Sequence, residues 1–249
     1  MTKQNPYDEL LKAPPESRKR VGEHLYDLRY KDRAQRATRL PAKRRLKRIA
    51  LFKAIIGRGH QCILELGCGS GDLTYALLDH AGEVVGTDIS ATAIEIAVGR
   101  KNLWSLSDEQ IKKIVFKQMS AVQLDFPDDM FDWAVSTSMI EHLHPDDVDK
   151  HLCEVRRALK AGGNYLLWCP NGLGHHEDRI DHLTMWSYRE WVAKLRNAGF
   201  RRFRSTMAAR PPLVDAKWKI ILEAFLSRLH IKVMWSRLGV RNILLVATK

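Results

Sequence analysis

The chain has 249 residues, of which 45% are hydrophobic and 8% aromatic, a composition that is typical of a folded domain and excludes a chain that is disordered throughout. Four cysteines without a CxxC pair exclude a zinc knuckle and a disulfide scaffold and indicate reduced thiols. The formal net charge is +12, and residues 1–60 hold 17 Lys and Arg against 6 Asp and Glu, so the basic character belongs to the N-terminal segment.

Residues 1–58 are predicted to form a basic, mostly helical extension. Charged residues stand where a secretory leader is apolar, and no apolar run is long enough to span a bilayer, so we expect a cytoplasmic protein. The densest basic stretch runs from Arg36 to Lys53. Apolar residues interleave it at helical spacing: Leu46, Ile49, Ala50 and Phe52. This pattern predicts a helix with a buried stripe and a cationic face, which either is solvated or attracts phosphate groups of RNA, lipid or substrate.

From residue 59 onward, short apolar runs alternate with amphipathic stretches, the pattern of βαβ units. The seven strand candidates are Cys62–Leu66, Val84–Thr87, Ile114–Lys117, Trp133–Thr137, Tyr165–Trp168, Arg201–Thr206 and Asn242–Ala247. Residues 59–249 are therefore expected to form one α/β domain with a doubly wound, mostly parallel, seven-stranded sheet.

Two helices carry both start and stop signals. One is predicted from Pro145 to the Gly162-Gly163 pair. The other begins at Ser187, which has capping-box spacing with Glu190, and ends at residue 199.

Residues 208–238 are a predicted helical insertion before the last strand. From Trp218 to Leu229, apolar residues recur with helical spacing, and charged residues take the other face. This periodicity is typical of core packing, but a lid over a substrate pocket and peripheral contact with a membrane remain open alternatives.

The segment ILELGCGSGDLT, residues 63–74, is a strand that leads through a glycine-rich turn into a helix. Glycine has no Cβ, so a ligand can approach the backbone amides at the start of the helix. The next strand ends in Asp88, where a carboxylate can accept hydrogen bonds from both hydroxyls of a ribose. Together these features predict a site for an adenosyl or dinucleotide cofactor.

These motifs resemble those of class I methyltransferases that depend on S-adenosylmethionine, and the similarity covers about Cys62 to Phe200. The resemblance implies a Rossmann-like fold, S-adenosylmethionine as cofactor and an enzyme. The cofactor-binding residues that it implies are Glu65, Gly67, Cys68, Gly69, Gly71, Asp88, Ile89, Ser120, Ala121 and Thr137. The chain departs from the family at Ser120, where Asp is common, so the resemblance does not assign the contact with the adenine amino group, and Ala121 can still supply a backbone amide.

Two later segments, STSMIEHL at 136–143 and RRALKAGG at 156–163, continue the resemblance through the branch that includes ubiquinone and glycolipid O-methyltransferases. A nicotinamide dehydrogenase, which shares the glycine loop, is not expected to contain them. The resemblance therefore implies O-methylation of a small-molecule, saccharide or lipid-linked acceptor.

Three candidate catalytic residues follow the fourth and fifth strands: Glu141, His142 and His182. The imidazole of His142 is suited to a general base, although a structural hydrogen bond beneath the cofactor explains it equally well. His182 resembles the substrate-side histidine of the family, and the same loop holds His175 and His176, which either bind substrate or are solvated.

The three candidates also match, in order, three of the four metal ligands of the family that 2′-O-methylates the 3′ ends of small RNAs. Ser138 stands where that family has Glu, which leaves the ligand set incomplete, so no metal is predicted and a nucleic-acid partner is not favoured. A cofactor-binding module without catalysis is the third alternative, and the oligomeric state stays open.

Overall fold

The computed structural model describes residues 7–32, 41–172, 181–206 and 242–249. The predicted insertion at 208–238 and the histidines His175 and His176 lie outside these residues. The described residues form eight α-helices: α1 Tyr7–Lys12, α2 Pro15–Lys31, α3 Lys43–Ile56, α4 Asp72–Ala76, α5 Ala91–Gly99, α6 Asp108–Ile111, α7 Val148–Ala158 and α8 Tyr188–Asn197. They also form seven strands: β1 His60–Leu66, β2 Ala81–Asp88, β3 Ile114–Gln118, β4 Phe131–Thr137, β5 Leu159–Pro170, β6 Arg201–Thr206 and β7 Asn242–Thr248.

The strands form one sheet in the order β3-β2-β1-β4-β5-β7-β6. Strands β1 to β5 pair in parallel, and β7 lies antiparallel between β5 and β6. Because the chain winds outward from β1 in both directions, the carboxyl ends of β1, β2 and β4 meet at the middle of one edge, where ligands bind in such sheets. The predicted α/β class and the mostly parallel seven-stranded sheet are confirmed.

Helices cover both faces of the sheet. On one face, the core includes Leu152 of α7 and Trp191 of α8, and on the other it includes Phe52 of α3 and Leu73 of α4. From Cys62 onward the inner strand β1 is therefore buried on both sides, which explains why this part is apolar except at Glu65. None of the helices in the described ranges is long and apolar enough to cross a membrane.

The boundary between α7 and β5 differs from the prediction. The helix expected to stop at Gly162-Gly163 ends at Ala158, because Leu159 has an extended backbone and pairs with Phe131 of β4. The glycine pair lies inside β5, where the register with β4 shifts and Gly162 has a left-handed φ of 76°. The two glycines thus mark an irregularity of the strand and not the end of a helix.

Helix α8 begins as predicted. The side chain of Ser187 accepts the N–H of Glu190, and the Glu190 carboxylate accepts the N–H of Ser187, which completes the capping box. The last helical residue is Asn197, two residues before the glycine that the sequence marks as the stop.

Helix α3 confirms the helix predicted in the basic segment, but the predicted buried stripe is only partly correct. Ile49 and Phe52 are buried, whereas Leu46 is 41% exposed and Ala50 is also exposed. The buried side chains continue instead through Ile55, because it is the C-terminal part of the helix that packs closely on the sheet.

Candidate active site

The glycine loop between β1 and α4 makes a turn that favours glycine at three positions. Gly67, Gly69 and Gly71 have φ values of 69°, 54° and 74°, in the left-handed region where a side chain is strained. A Cβ on Gly67 would overlap the Met139 side chain, and one on Gly71 would lie 2.8 Å from Phe116. The loop therefore brings bare backbone to the carboxyl edge of the sheet.

Asp88 ends β2 beside this loop. One carboxylate oxygen accepts the N–H of Gly69 at 2.9 Å, and the other accepts the N–H of Ser90 at 3.0 Å. Burial is the main cause that raises the pKa of this carboxyl group, and the two backbone donors oppose it. Each oxygen still has a second lone pair, so the carboxylate can accept hydrogen bonds from a ribose without losing its hold on the loop.

Glu65 lies beneath the loop and is only 2% exposed. The hydroxyl of Thr74 donates to its carboxylate at 2.5 Å. Burial raises the pKa of Glu65 to about 8, so the group carries a proton at neutral pH. A cation brought next to Glu65 would therefore favour loss of that proton.

The segment predicted to border the adenine ring, Met119–Ala121, begins next to Asp88. The N–H of Met119 donates to the carbonyl oxygen of Asp88 at 2.8 Å. Ser120 is buried, and its hydroxyl oxygen accepts a long hydrogen bond of 3.5 Å from the N–H of Val122. The hydroxyl proton takes no part in that bond and can serve a ligand.

A buried chain of hydrogen bonds holds the segment Met119–Ala121 in place from the interior of the protein. His151 Nδ1 lies 2.7 Å from the carbonyl oxygen of Ala121 and must donate to it, because a carbonyl only accepts. His151 Nε2 therefore accepts the hydroxyl proton of Tyr165 at 3.0 Å, and Ser136 donates to Tyr165 at 2.7 Å. Burial lowers the pKa of His151 to about 4, which keeps the imidazole in this neutral tautomer.

Helix α2 covers the edge from the N-terminal side. A Cβ on Gly69 would lie 2.5 Å from the hydroxyl oxygen of Tyr30, so this phenol rests directly on the glycine loop. One turn earlier, an oxygen of Asp27 accepts the hydroxyl of Ser90 at 2.5 Å and the N–H of Thr92 at 3.1 Å. A ligand that reaches Gly69 must therefore lie beside the Tyr30 hydroxyl or displace it.

His142 lies in a single 3-10 turn, Ile140–His142, after β4. Its Nδ1 donates to the carbonyl oxygen of Asp181 at 2.5 Å, so the neutral imidazole carries its lone pair on Nε2. Burial lowers the pKa of His142 to about 4. The Asp181 carboxylate pairs with Arg29 of α2 at 2.6 Å, which ties α2 to the loop that holds His182.

The three candidate catalytic residues lie close together. Glu141, His142 and His182 each offer a metal-ligating atom, and these atoms lie within 4.8 Å of one another. Glu141 is only 1% exposed, and the rings of the two histidines are 5.2 Å apart. Thr137, a predicted cofactor contact, ends β4 just before this turn.

The donor set fits an adenosylated sulfonium cofactor. The glycine loop offers backbone that a Cβ would obstruct, and Asp88 offers carboxylate lone pairs next to it. Cys68, predicted as a contact, points its thiol into the interior, where burial raises the pKa, and its N–H donates to Thr87. Ile89 instead packs on Gly22 of α2, where a Cβ would lie 3.3 Å away.

Comparison with known proteins identifies the central part of the chain. Residues 63–163 match the family model described as a methyltransferase domain. The probable methyltransferase ltbC of Aspergillus luteorubrus is 33% identical over 161 residues, which cover 63% of this chain and 55% of that protein. The ubiquinone/menaquinone biosynthesis C-methyltransferase UbiE of Pseudoalteromonas translucida is 33% identical over 124 residues, which cover 49% of this chain and 47% of that protein. The chain thus spans about half the length of these curated relatives.

Solved structures share the fold. The 1,6-didemethyltoxoflavin-N1-methyltransferase of Burkholderia thailandensis, solved with bound 1,6-didemethyltoxoflavin and S-adenosylhomocysteine, aligns with a TM-score of 0.62 at 20% identity. The alignment covers 95% of this chain and 91% of that one. Residues 63–163 therefore match a methyltransferase domain in sequence, and the chain shares the fold of a solved methyltransferase. The predicted resemblance to methyltransferases is confirmed for this segment, whereas the enzyme activity, the cofactor S-adenosylmethionine and the roles of individual residues stay predictions.

Proposed function

We propose that this chain is an enzyme that transfers the methyl group of S-adenosylmethionine to an oxygen atom of a small-molecule, saccharide or lipid-linked acceptor. The observation that supports this most is the meeting of the glycine loop and His142 at one edge. Met139 lies against Gly67, and its carbonyl oxygen accepts the N–H of His142 at 2.9 Å. The turn that carries the predicted base thus adjoins the glycine loop, where the resemblance places the methionine part of the cofactor.

The cofactor supplies a methyl carbon that is already electrophilic, so the tasks of the protein are to align the acceptor and to remove its proton. His142 Nε2 is the atom suited to accept that proton, because Nδ1 donates to Asp181. An imidazole with a pKa near 4 is a weak base. It therefore accepts the proton while the new C–O bond forms, when the hydroxyl group has become more acidic.

Methyl transfer from labelled S-adenosylmethionine should be screened against lipid extracts, sugar nucleotides, small aromatic compounds and short RNAs. Label in any of the first three classes, on an oxygen atom, supports the proposal. Label only in RNA supports the alternative below. Cofactor binding without turnover of any acceptor supports a non-catalytic module.

A second candidate function is the metal-assisted 2′-O-methylation of RNA. The clustering of Glu141, His142 and His182 favours it. Against it, the fourth position is Ser138, and two imidazoles with one carboxylate form a nitrogen-rich set, whereas magnesium prefers oxygen ligands. The donor set thus fits the metal-dependent reaction poorly.

Removal of divalent metal is expected to leave methyl transfer unchanged. The reason is the missing carboxylate at Ser138, which leaves a hard ion without enough oxygen ligands. Activity is measured after exhaustive dialysis against a chelator, and again after addition of magnesium or manganese. Loss on chelation with rescue by either ion contradicts this prediction and promotes the RNA alternative.

Cofactor binding at pH 7 is expected to release about one proton. Glu65 is protonated in the free protein because its pKa is about 8, and the resemblance assigns the methionine and ribose part of the cofactor to Glu65 and the glycine loop. The positive charge of the methionine ammonium group would favour loss of the Glu65 proton. Calorimetric titration with S-adenosylhomocysteine in buffers of different ionisation enthalpy measures the release. The matched variant Glu65→Gln should show none, and an equal release in that variant would assign the proton to another group.

A further inference from the structure

Helix α3 presents three arginines on one face: Arg44, Arg45 and Arg48 are one turn apart or adjacent. The guanidinium group of Arg45 contacts the buried carboxylate of Asp72 at 3.0 Å. Arg48 is partly buried and lies over the ring of Trp168, with 6.0 Å between the guanidinium carbon and the ring centre. Within the part of the chain that the structure describes, no carboxylate lies within ion-pair distance of Arg48.

In the described ranges, four other arginines of low exposure contact carboxylates, and Arg156 donates instead to the carbonyl oxygen of Gly199. The four are Arg18 with Asp146 and Asp147, Arg29 with Asp181, Arg100 with Asp72, and Arg157 with Glu154 and Asp128. Burial removes water from a guanidinium group, and this loss costs free energy unless an anion replaces the water. Arg48 is therefore a cationic position that an external anion would stabilise.

The surroundings of Arg48 add to this surplus of positive charge. Its pKa is lowered, first by burial and then by the charges of Arg45 and Arg44. Glu141 is the one described carboxylate that acts in the opposite direction, and it belongs to the turn that holds His142. The positive charge of Arg48 therefore interacts with the turn that carries the predicted base, His142.

The position of Arg48 favours the acceptor over the cofactor. Trp168 pairs with Thr137 near the carboxyl end of β4, and its carbonyl oxygen accepts the N–H of Ser138 at 2.8 Å. Strand β5 is three strands away from β2, which at about 4.8 Å per spacing puts the Trp168 backbone about 14 Å from that of Asp88. The ribose site and the Arg48 position are therefore distinct parts of the same edge.

We propose that Arg48, assisted by Arg44, binds an oxyanion of the methyl acceptor, so that the acceptor is an anionic molecule carrying a phosphate or carboxylate group. The planar guanidinium group offers two parallel N–H donors to such a group, and the ring of Trp168 holds its plane. This inference rests on the proposed function, because it assigns the substrate class of that site.

Phosphate and acetate are titrated separately, at constant ionic strength, into protein saturated with S-adenosylhomocysteine, and the indole N–H resonance of Trp168 reports binding. We expect saturable shifts, with an apparent Kd that rises about tenfold or more in Arg48→Gln and stays unchanged in Lys43→Gln, an exposed cation of the same helix. The anion that binds with the lower Kd, phosphate or acetate, indicates whether the acceptor carries a phosphate or a carboxylate group. No saturable shift in the wild-type protein, or equal loss in the two variants, overturns the proposal.

Two further measurements show which step of the argument is wrong if the anion titration fails. Arg48→Met keeps an apolar contact with Trp168 but removes the charge, and it should raise the melting temperature in buffer without oxyanions; a lower melting temperature overturns the argument from surplus charge. The Kd of S-adenosylhomocysteine should be unchanged in Arg48→Gln, and a parallel loss reassigns Arg48 to the cofactor. Failure of the wild-type protein to bind S-adenosylhomocysteine counts against the proposed function itself, whereas failure of the anion titration alone does not.

Discussion

Replacement of Asp88 by alanine is expected to weaken the binding of S-adenosylhomocysteine by about 1–3 kcal/mol, or about 5- to 150-fold in Kd. The resemblance places the ribose hydroxyls at this carboxylate, so the substitution removes their acceptors. It also removes the acceptors for the N–H groups of Gly69 and Ser90, which hold the two loops of the site together. Calorimetric titration measures the loss.

Asp132 provides a matched control for this variant. One of its carboxylate oxygens also accepts two backbone N–H groups, those of Gln61 at 2.7 Å and Cys62 at 2.9 Å, but at the start of β1, on the opposite edge of the sheet. Asp132→Ala should therefore lower the melting temperature and leave the Kd for the cofactor product unchanged. If Asp88→Ala binds normally, or if both variants lose affinity equally, Asp88 does not hold the ribose.

The strands of the sheet could be predicted because each is a local pattern. The run Cys62–Leu66 is apolar except at Glu65 and is bounded by polar and glycine residues, which is typical of a buried parallel strand. The boundary at Ala158 could not be predicted in the same way. A Gly162-Gly163 pair suits either the end of a helix or an irregular strand, and the choice is made by pairing of Leu159 with β4, which is a contact between distant segments.

In the candidate site, too, local motifs could be predicted from the sequence, whereas contacts between distant segments could not. The glycine loop and Asp88 are recognisable because a short motif carries their geometry, but the cover that α2 forms over them is not. Tyr30 and Asp27 lie one turn apart on α2, a weak signal that many surface helices share. The ion pair between Arg29 and Asp181 joins residues 152 positions apart, so no local pattern reports it.

Replacement of His142 by alanine is expected to lower kcat by about 10²- to 10⁴-fold, the usual contribution of a general base. Affinity for S-adenosylhomocysteine should stay close to that of the wild-type protein, because the ribose and glycine-loop contacts do not involve this side chain. Single-turnover methyl transfer to an acceptor found in the screen measures the effect, and calorimetry checks the cofactor.

The variant His142→Asn tests whether His142 acts as the general base or only holds the loop through its hydrogen bond to Asp181. An asparagine amide can donate to the carbonyl oxygen of Asp181, as Nδ1 does, but offers no basic nitrogen in place of Nε2. If His142 is the base, the asparagine variant is as slow as the alanine variant while its melting temperature is closer to that of the wild-type protein. Recovery of activity by asparagine would show that the imidazole serves only to hold the loop.

The pH dependence tests the same assignment without a substitution. Because burial lowers the pKa of His142 to about 4, the imidazole is neutral, and able to accept a proton, throughout the neutral range. At saturating cofactor, kcat/KM for the acceptor should therefore fall only as the pH drops through about 4 and should be independent of this group above about pH 5. Folding must be monitored alongside, since the folded protein binds a proton at His142 less readily than the unfolded chain, and its stability decreases as the pH falls from about 6.5 towards 4. An acid limb centred near 6.5, in protein that remains folded, would mean that the reactive base is solvated and is not the buried His142.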